Sequence, residues 1–227
     1  MNSDGEAIRR FSSGEDERSS PSADIGTNRF VWNMQYPGVD LPLSAGALPD
    51  FESSDHSPPR RPVAPPGHYF TRLTVAGQEF DKPFEILKDP STTATDDDLR
   101  AQFELMLDIQ QRVTDVSGIV MKIREFRAEV KNRGDGLPED SRAEVDTVLK
   151  ELEEIEGTLT IWMGSVAHPM MFGPPGIIQK LSRLSGAVVS GESKPTAAMY
   201  GVFDDLTRRF EEQRNRLNQI MDQLELR

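Results

Sequence analysis

Apolar residues recur every three or four positions along the C-terminal two thirds of the chain. The longest such stripe runs through Leu99, Phe103, Met106, Ile109, Val113, Val116, Val120, Ile123, Phe126 and Val130. Its mean spacing of about 3.4 residues is close to the coiled-coil repeat and predicts one long amphipathic helix over residues 96–132. Thr95, followed by Asp96, Asp97 and Asp98, supplies an N-cap and the negative charge favoured in a first turn. Such a helix is about 55 Å long. The turn Arg-Gly-Asp-Gly-Leu-Pro at 133–138 ends it. A second helix starts at Pro138 and carries Val145, Val148, Leu152, Ile155, Leu159 and Trp162. A short third helix is expected over 175–190, on Ile178, Leu181, Leu184 and Val188. A fourth runs from near Pro195 almost to the C-terminus, on Tyr200, Phe203, Leu206, Phe210, Leu217, Ile220 and Leu224, with Gln213 interrupting the stripe. Four amphipathic helices with short turns imply an antiparallel bundle over residues 91–227. Residues 162–175, with Met163, Met170, Met171 and Phe172, are expected to fold back on the end of that bundle, the alternative being an exposed apolar patch.

The pattern changes before residue 90. There the apolar runs are short, alternate with polar residues, and sit among Pro, Gly and Ser. Period-two alternation predicts strands at 6–13, 28–34, 68–75 and 78–87. Pro83 marks the last of these as an edge strand or a bulge, because proline cannot donate to a ladder. The final two strands form a hairpin around Ala76-Gly77. Gly77 accepts a positive φ and Ala76 does so only at a cost, so a type I turn with a bulge at Gly77 is expected rather than type I′. Residues 35–66 read as a long surface loop. The apolar set is thin for a free-standing sandwich: Ile8, Phe30, Trp32, Tyr69, Leu73, Val75, Phe80, Phe84 and Ile86. The fold class is therefore α+β in two parts, an incomplete immunoglobulin-like β-sandwich over 1–90 followed by the bundle. The hairpin is expected to pair well within itself, and the sheet around Ile8 to have an unprotected edge.

Composition narrows the chemistry. The 227-residue chain carries a formal charge of -12, which argues against nucleic acid and against an anionic membrane surface. It has no cysteine, which removes disulfides, thiolate nucleophiles and Cys-based zinc sites. No apolar run approaches the ~18 residues of a membrane span. The first twenty residues lack an apolar core, so no signal peptide is expected there. The Glu-x-x-His pairs of bundle di-iron sites are missing. His56, His68 and His168 fall in a loop, a strand start and a loop, and each reads as a surface residue. Glu151 to Glu156 read as a solvated helix face. Arg133-Gly134-Asp135 spells an adhesion tripeptide that a helix-ending turn already explains. Ser22-x-Asp24-x-Gly26-Thr27 matches the start of an Asp-box, with Trp32 too far along for the full motif. There is no nucleophile elbow and no phosphate-cradling Gly-rich loop. No residue is assigned a catalytic, cofactor-binding or metal-ligating role, and no cofactor is expected.

Five stretches, in order, resemble one family: GEAIRRFSS, GTNRFVWNMQYPG, APPGHYFTRLTVAGQEFDKPFEILKDP, DDDLRAQFELMLDIQQRV, and the run from GPPGIIQKLSRLSG to FDDLTRRFEEQ. Together they resemble the C-terminal part of bacterial BNR-repeat/VPS10 (sortilin-like) β-propeller proteins often labelled glycosyl hydrolases. The resemblance implies an immunoglobulin-like module followed by a helical segment, and an exported location. The propeller that would hold hydrolase activity has no counterpart here, so no catalytic residue carries over. In the family a strand precedes the part matching Asp4-Gly5, which suggests a truncated or split form. The expected function is a non-catalytic accessory region that contacts a β-propeller domain or protein. The alternatives are a glycan hydrolase with its activity in the missing propeller, needing two carboxylates about 5–10 Å apart, and a self-associating helical scaffold.

Overall fold

A computed structural model describes residues 1–13, 20–39, 59–134, 139–160 and 175–225. The chain is α+β. Two strands, β1 (Gly67–Val75) and β2 (Gln78–Ile86), precede four helices: α1 (Asp96–Gly134), α2 (Glu139–Leu159), α3 (Ile177–Val188) and α4 (Ala197–Glu225).

The helices follow their apolar stripes. Met106, Ile109, Val113, Val116, Val120, Ile123 and Val130 of α1 are buried, and Leu99, Phe103 and Phe126 are half-buried. Leu105 and Ser117 are buried as well, which widens the contact face beyond a single seam. That follows from α1 packing on all three other helices. Leu152, Ile155 and Leu159 of α2, all four expected positions of α3, and Leu206, Phe210, Leu217 and Ile220 of α4 complete one continuous core. A link of only four residues, 135–138, joins α1 to α2, so α2 returns beside α1. At the start of α1 the Asp98 amide donates to Thr95 Oγ1 (3.1 Å), and the Thr95 amide donates back to Asp98 (3.0 Å). These reciprocal bonds cap the helix as the sequence leads one to expect. Trp162 and the Met-rich stretch lie outside the described residues, as do His56, His168 and Asp135.

Gly176, before α3, meets the end of α2 so closely that an added Cβ would lie 2.6 Å from Thr160 Cα and N. Main-chain atoms cannot step aside as a side-chain tip can. Gly176→Ala is expected to destabilise the protein by about 1–3 kcal/mol, read as a lower denaturation midpoint at unchanged slope.

The β-part departs from expectation in three ways. Residues 6–13 and 28–34 form no strands, so the sheet described is the two-stranded hairpin and not a sandwich. Their apolar side chains are used without ladder bonds: Ile8 is buried and Trp32 half-buried against the hairpin. The expected 35–66 loop has paired ends. The Tyr36 amide donates to Pro62 O (2.9 Å) and the Ala64 amide to Met34 O (2.8 Å). Lastly, the hairpin turn has φ 49° at Ala76 and 80° at Gly77. Positive φ at both central residues makes it type I′, not type I with a bulge. Val75 pairs directly with Gln78, and a two-residue loop must match the strand twist, which outweighs the cost at Ala76. Ala76→Asn is expected to stabilise the hairpin by about 0.5–1 kcal/mol, visible as a higher thermal midpoint.

Candidate interaction surface

The register of the hairpin fixes which side chains share a face. Tyr69 pairs with Phe84, Thr71 with Lys82, Leu73 with Phe80 and Val75 with Gln78. Directly opposed residues point the same way, so these make one face. Arg72, Thr74, Asp81 and Glu79 lie on the other. The Arg72 guanidinium donates to both Asp81 oxygens (2.8 and 2.7 Å) and reaches Glu79 at 3.3 Å. The hydrogen-bonded Arg72 holds the Asp81 carboxyl below its ordinary pKa, and Asp81 raises that of Arg72. This face is a solvated ion-pair lattice.

The apolar face is covered at one end only. Near the strand start, Tyr69 stacks on Phe84 (5.7 Å between ring centres), and Trp32 meets Phe84 edge-on (6.4 Å). Ile8 and Ala64 close this small core, with Tyr36 against it. The Tyr69 hydroxyl donates to Pro65 O (2.7 Å). Burial first, then the nearby Tyr36, pushes its pKa up to about 12. Tyr69→Phe leaves that carbonyl without its donor and is expected to cost about 1–3 kcal/mol, measured by urea denaturation. Toward the turn the cover stops. Leu73, Val75 and Phe80 are 57, 52 and 51 % exposed, although Tyr69, on the same face four residues before Leu73, is buried. Phe30, Val31, Met34 and Leu87 are exposed as well. A shallow hollow of about 440 Å³ among Trp32, Met34, Phe84, Ile86 and Leu87 runs alongside.

Tyr36 ties this region to the bundle, meeting Phe103 of α1 edge-on at 4.8 Å. The Arg60 amide donates to Ser185 Oγ of α3 (2.8 Å), and Gln110 of α1 donates to Pro37 O (3.2 Å). Lys88 Nζ donates to Ala94 O just ahead of α1 (2.8 Å).

Compared with family models, curated proteins and solved structures, the chain matches none.

The residues weighed from sequence do not converge. His68 is exposed at the start of β1. Ser22 and Asp24 bond to each other in an exposed turn (2.5 Å), with Asn28 donating to Asp24 O. Among the described residues no group of His, Asp and Glu is placed to hold a metal ion, and no helix is long and apolar enough to cross a membrane. A second hollow, between α3 and α4, has Lys180, Val202, Leu206 and Arg209 in its wall. Asp205, its one carboxylate, is paired with Arg208 and Arg209. The first hollow likewise carries one carboxylate, Glu85.

One expectation is overturned. Glu156 does not lie on a solvated face. It is 1 % exposed, bonded to Arg124 (2.7 Å) and Arg127 (3.0 Å) of α1. Ile155 and Leu159 draw their whole side of α2 inward, and Glu156 goes with them. Two arginines three positions apart on α1, facing an acidic helix, were the signal. Each carboxylate oxygen accepts from one guanidinium, which makes this a structural clamp between helices.

Proposed function

We propose that this chain is a non-catalytic interaction module, of the kind that packs beside a BNR/VPS10-type β-propeller. The observation that carries the reading is the half-covered sheet face, with Leu73, Val75 and Phe80 more than half exposed on a surface whose other end is a core. Three large apolar side chains side by side on a hairpin favour a partner surface over water. The order of the sequence stretches supports a propeller as that partner. The hairpin reads as the closing ribbon of an immunoglobulin-like module, although among the described residues it is the whole of the sheet. Tyr69 supports this: its hydroxyl returns to a main-chain oxygen four residues upstream, as in the tyrosine corners of such sandwiches. The helices are joined to this region through Tyr36, Pro37 and Arg60.

The test is co-purification of the full chain with the protein encoded immediately upstream, which the reading expects to be a β-propeller. A stable complex is expected, lost in the double variant Leu73→Lys/Phe80→Lys while the helical circular dichroism stays unchanged. The absence of a propeller neighbour, in the genome or in the tube, defeats the reading, as does a complex indifferent to the double variant.

A further inference from the structure

The hairpin and the bundle have separate cores. Ile8, Ala64 and Tyr69 centre the first, and the buried faces of the four helices make the second. Neither strand packs against a helix. Two irregular runs, residues 34–39 and 59–64, reach from one core to the other. They are tied together by an antiparallel bridge between Gln35 and Val63 and by the bonds from the Tyr36 amide to Pro62 O and from the Ala64 amide to Met34 O. Arg61 also lies across Gly38, so closely that an added Cβ there would sit 3.0 Å from Arg61 Nε. The pair forms a strap over α1 and α3. Val39 packs against the bundle core, and the Tyr36 ring meets Phe103. Gln110 Nε2 donates to Pro37 O (3.2 Å), and the Arg60 amide donates to Ser185 Oγ (2.8 Å). At its other side the strap is part of the hairpin core, through Ala64 and Tyr36.

We propose that the strap is a latch. It releases from α1 and α3 as one piece, at a free energy well below that of unfolding, and lets the hairpin region swing while both cores stay folded. The described contacts that must break are two hydrogen bonds, one ring pair and a half-buried valine. The bundle core is far larger, so it holds when these give way. Pro37, Pro59 and Pro62 fix φ in their runs whether docked or free, so release sets little chain in motion. The swing has a natural pivot. Residues 88–95 fold on themselves just ahead of α1: Lys88 Nζ donates to Ala94 O (2.8 Å), the Ser91 amide to Asp89 (2.8 Å), and the Thr92 amide to Asp89 O (3.2 Å). Leu87, between this compact turn and β2, is 75 % exposed, so little packing fixes it. Closed, the strap sets the direction in which Leu73, Val75 and Phe80 face. Open, that face turns free of the bundle.

The experiment is amide hydrogen exchange on the full chain. Release frees the Arg60 amide and leaves the Tyr36 and Ala64 amides bonded within the strap. Corrected for intrinsic rates, Arg60 is expected to exchange more than about a hundredfold faster than Val120 and Ile123 in α1, with Tyr36 and Ala64 slower than Arg60. Gln110→Ala removes the bond to Pro37, on the other run. It is expected to speed exchange at Arg60 about two- to tenfold and to leave Val120 and Ile123 unchanged. The chain has no cysteine, so spin labels on Gln78→Cys and Lys122→Cys, both exposed, report the swing directly. Adding Gln110→Ala/Ser185→Ala is expected to enlarge a second, broader distance population with the helical circular dichroism unchanged. The latch is overturned if Arg60 exchanges with the bundle amides, or if it ignores Gln110→Ala. Tyr36 and Ala64 exchanging as fast as Arg60 would show a strap that dissolves instead of lifting, and a single unchanged distance in the double variant would show no swing. The propeller reading is independent: failure to find a propeller partner leaves the latch standing, and a strap that never releases leaves that reading untouched.

Discussion

Arg124→Ala/Arg127→Ala is expected to lower the stability of the protein by about 3–5 kcal/mol. The pair of substitutions leaves the Glu156 carboxylate in place, 1 % exposed among Leu152, Ile155 and Leu159, with neither guanidinium to accompany it. A buried charge without a partner loses its hydration and gains nothing in return. The effect is asymmetric. Glu156→Leu is expected to cost much less, because Arg124 and Arg127 are each about a third exposed and can turn to water. Adding Glu156→Leu to the double arginine variant is expected to recover most of the loss, since apolar packing can replace a buried ion pair at little net cost. Urea denaturation of the four proteins measures all three statements. Equal losses for the glutamate and arginine variants would sink the clamp as an explanation.

Phe210→Ala is expected to cost about 3–5 kcal/mol. Phe210 is 1 % exposed at the centre of α4 and packs into the common core. Arg112 of α1 and Arg214 of α4 stand over its ring at 5.4 and 5.8 Å. Truncation opens a cavity and removes the ring that the two cations face. It also disturbs the contact between Arg112 and Glu211 (3.2 Å), which links α1 to α4. Tyr200→Ala, on the same stripe but 37 % exposed, provides the comparison and is expected to change stability far less. Thermal denaturation followed at the helical circular dichroism band separates the two.

Local periodicity explains what could be read from the chain and what could not. The helices were legible because each stripe repeats over many turns. Met106, Ile109, Val113 and Val116 of α1 and every expected position of α3 are buried where the spacing put them. The hairpin was legible for the same reason at period two, and its ribbon pairs in continuous register from Gly67–Ile86 to Val75–Gln78. The segments around Ile8 and Trp32 offered only one or two alternations each. A buried apolar side chain does not require a ladder, and Trp32 packs on Phe84 while donating to Gln35 O (3.1 Å) in its own segment. The turn was misread because residue preference at Ala76 was set against loop length, and loop length prevailed. The Glu156 clamp depends on which elements meet across long stretches of chain, and composition is silent on that. The interaction surface was half legible: Leu73, Val75 and Phe80 were expected as core, and their identity and shared face hold while their burial does not.

The bond from the Arg60 amide to Ser185 Oγ joins residues 125 positions apart. During synthesis the N-terminal arm leaves the ribosome well before α3 exists to receive it. At ordinary elongation speeds of about 5–20 residues per second, that gap lasts roughly 6–25 s. Within it the arm can already meet α1, through Tyr36 on Phe103 and Pro37 with Gln110, but not α3. Of the contacts described between the arm and the bundle, the one at Ser185 is therefore the last that can close.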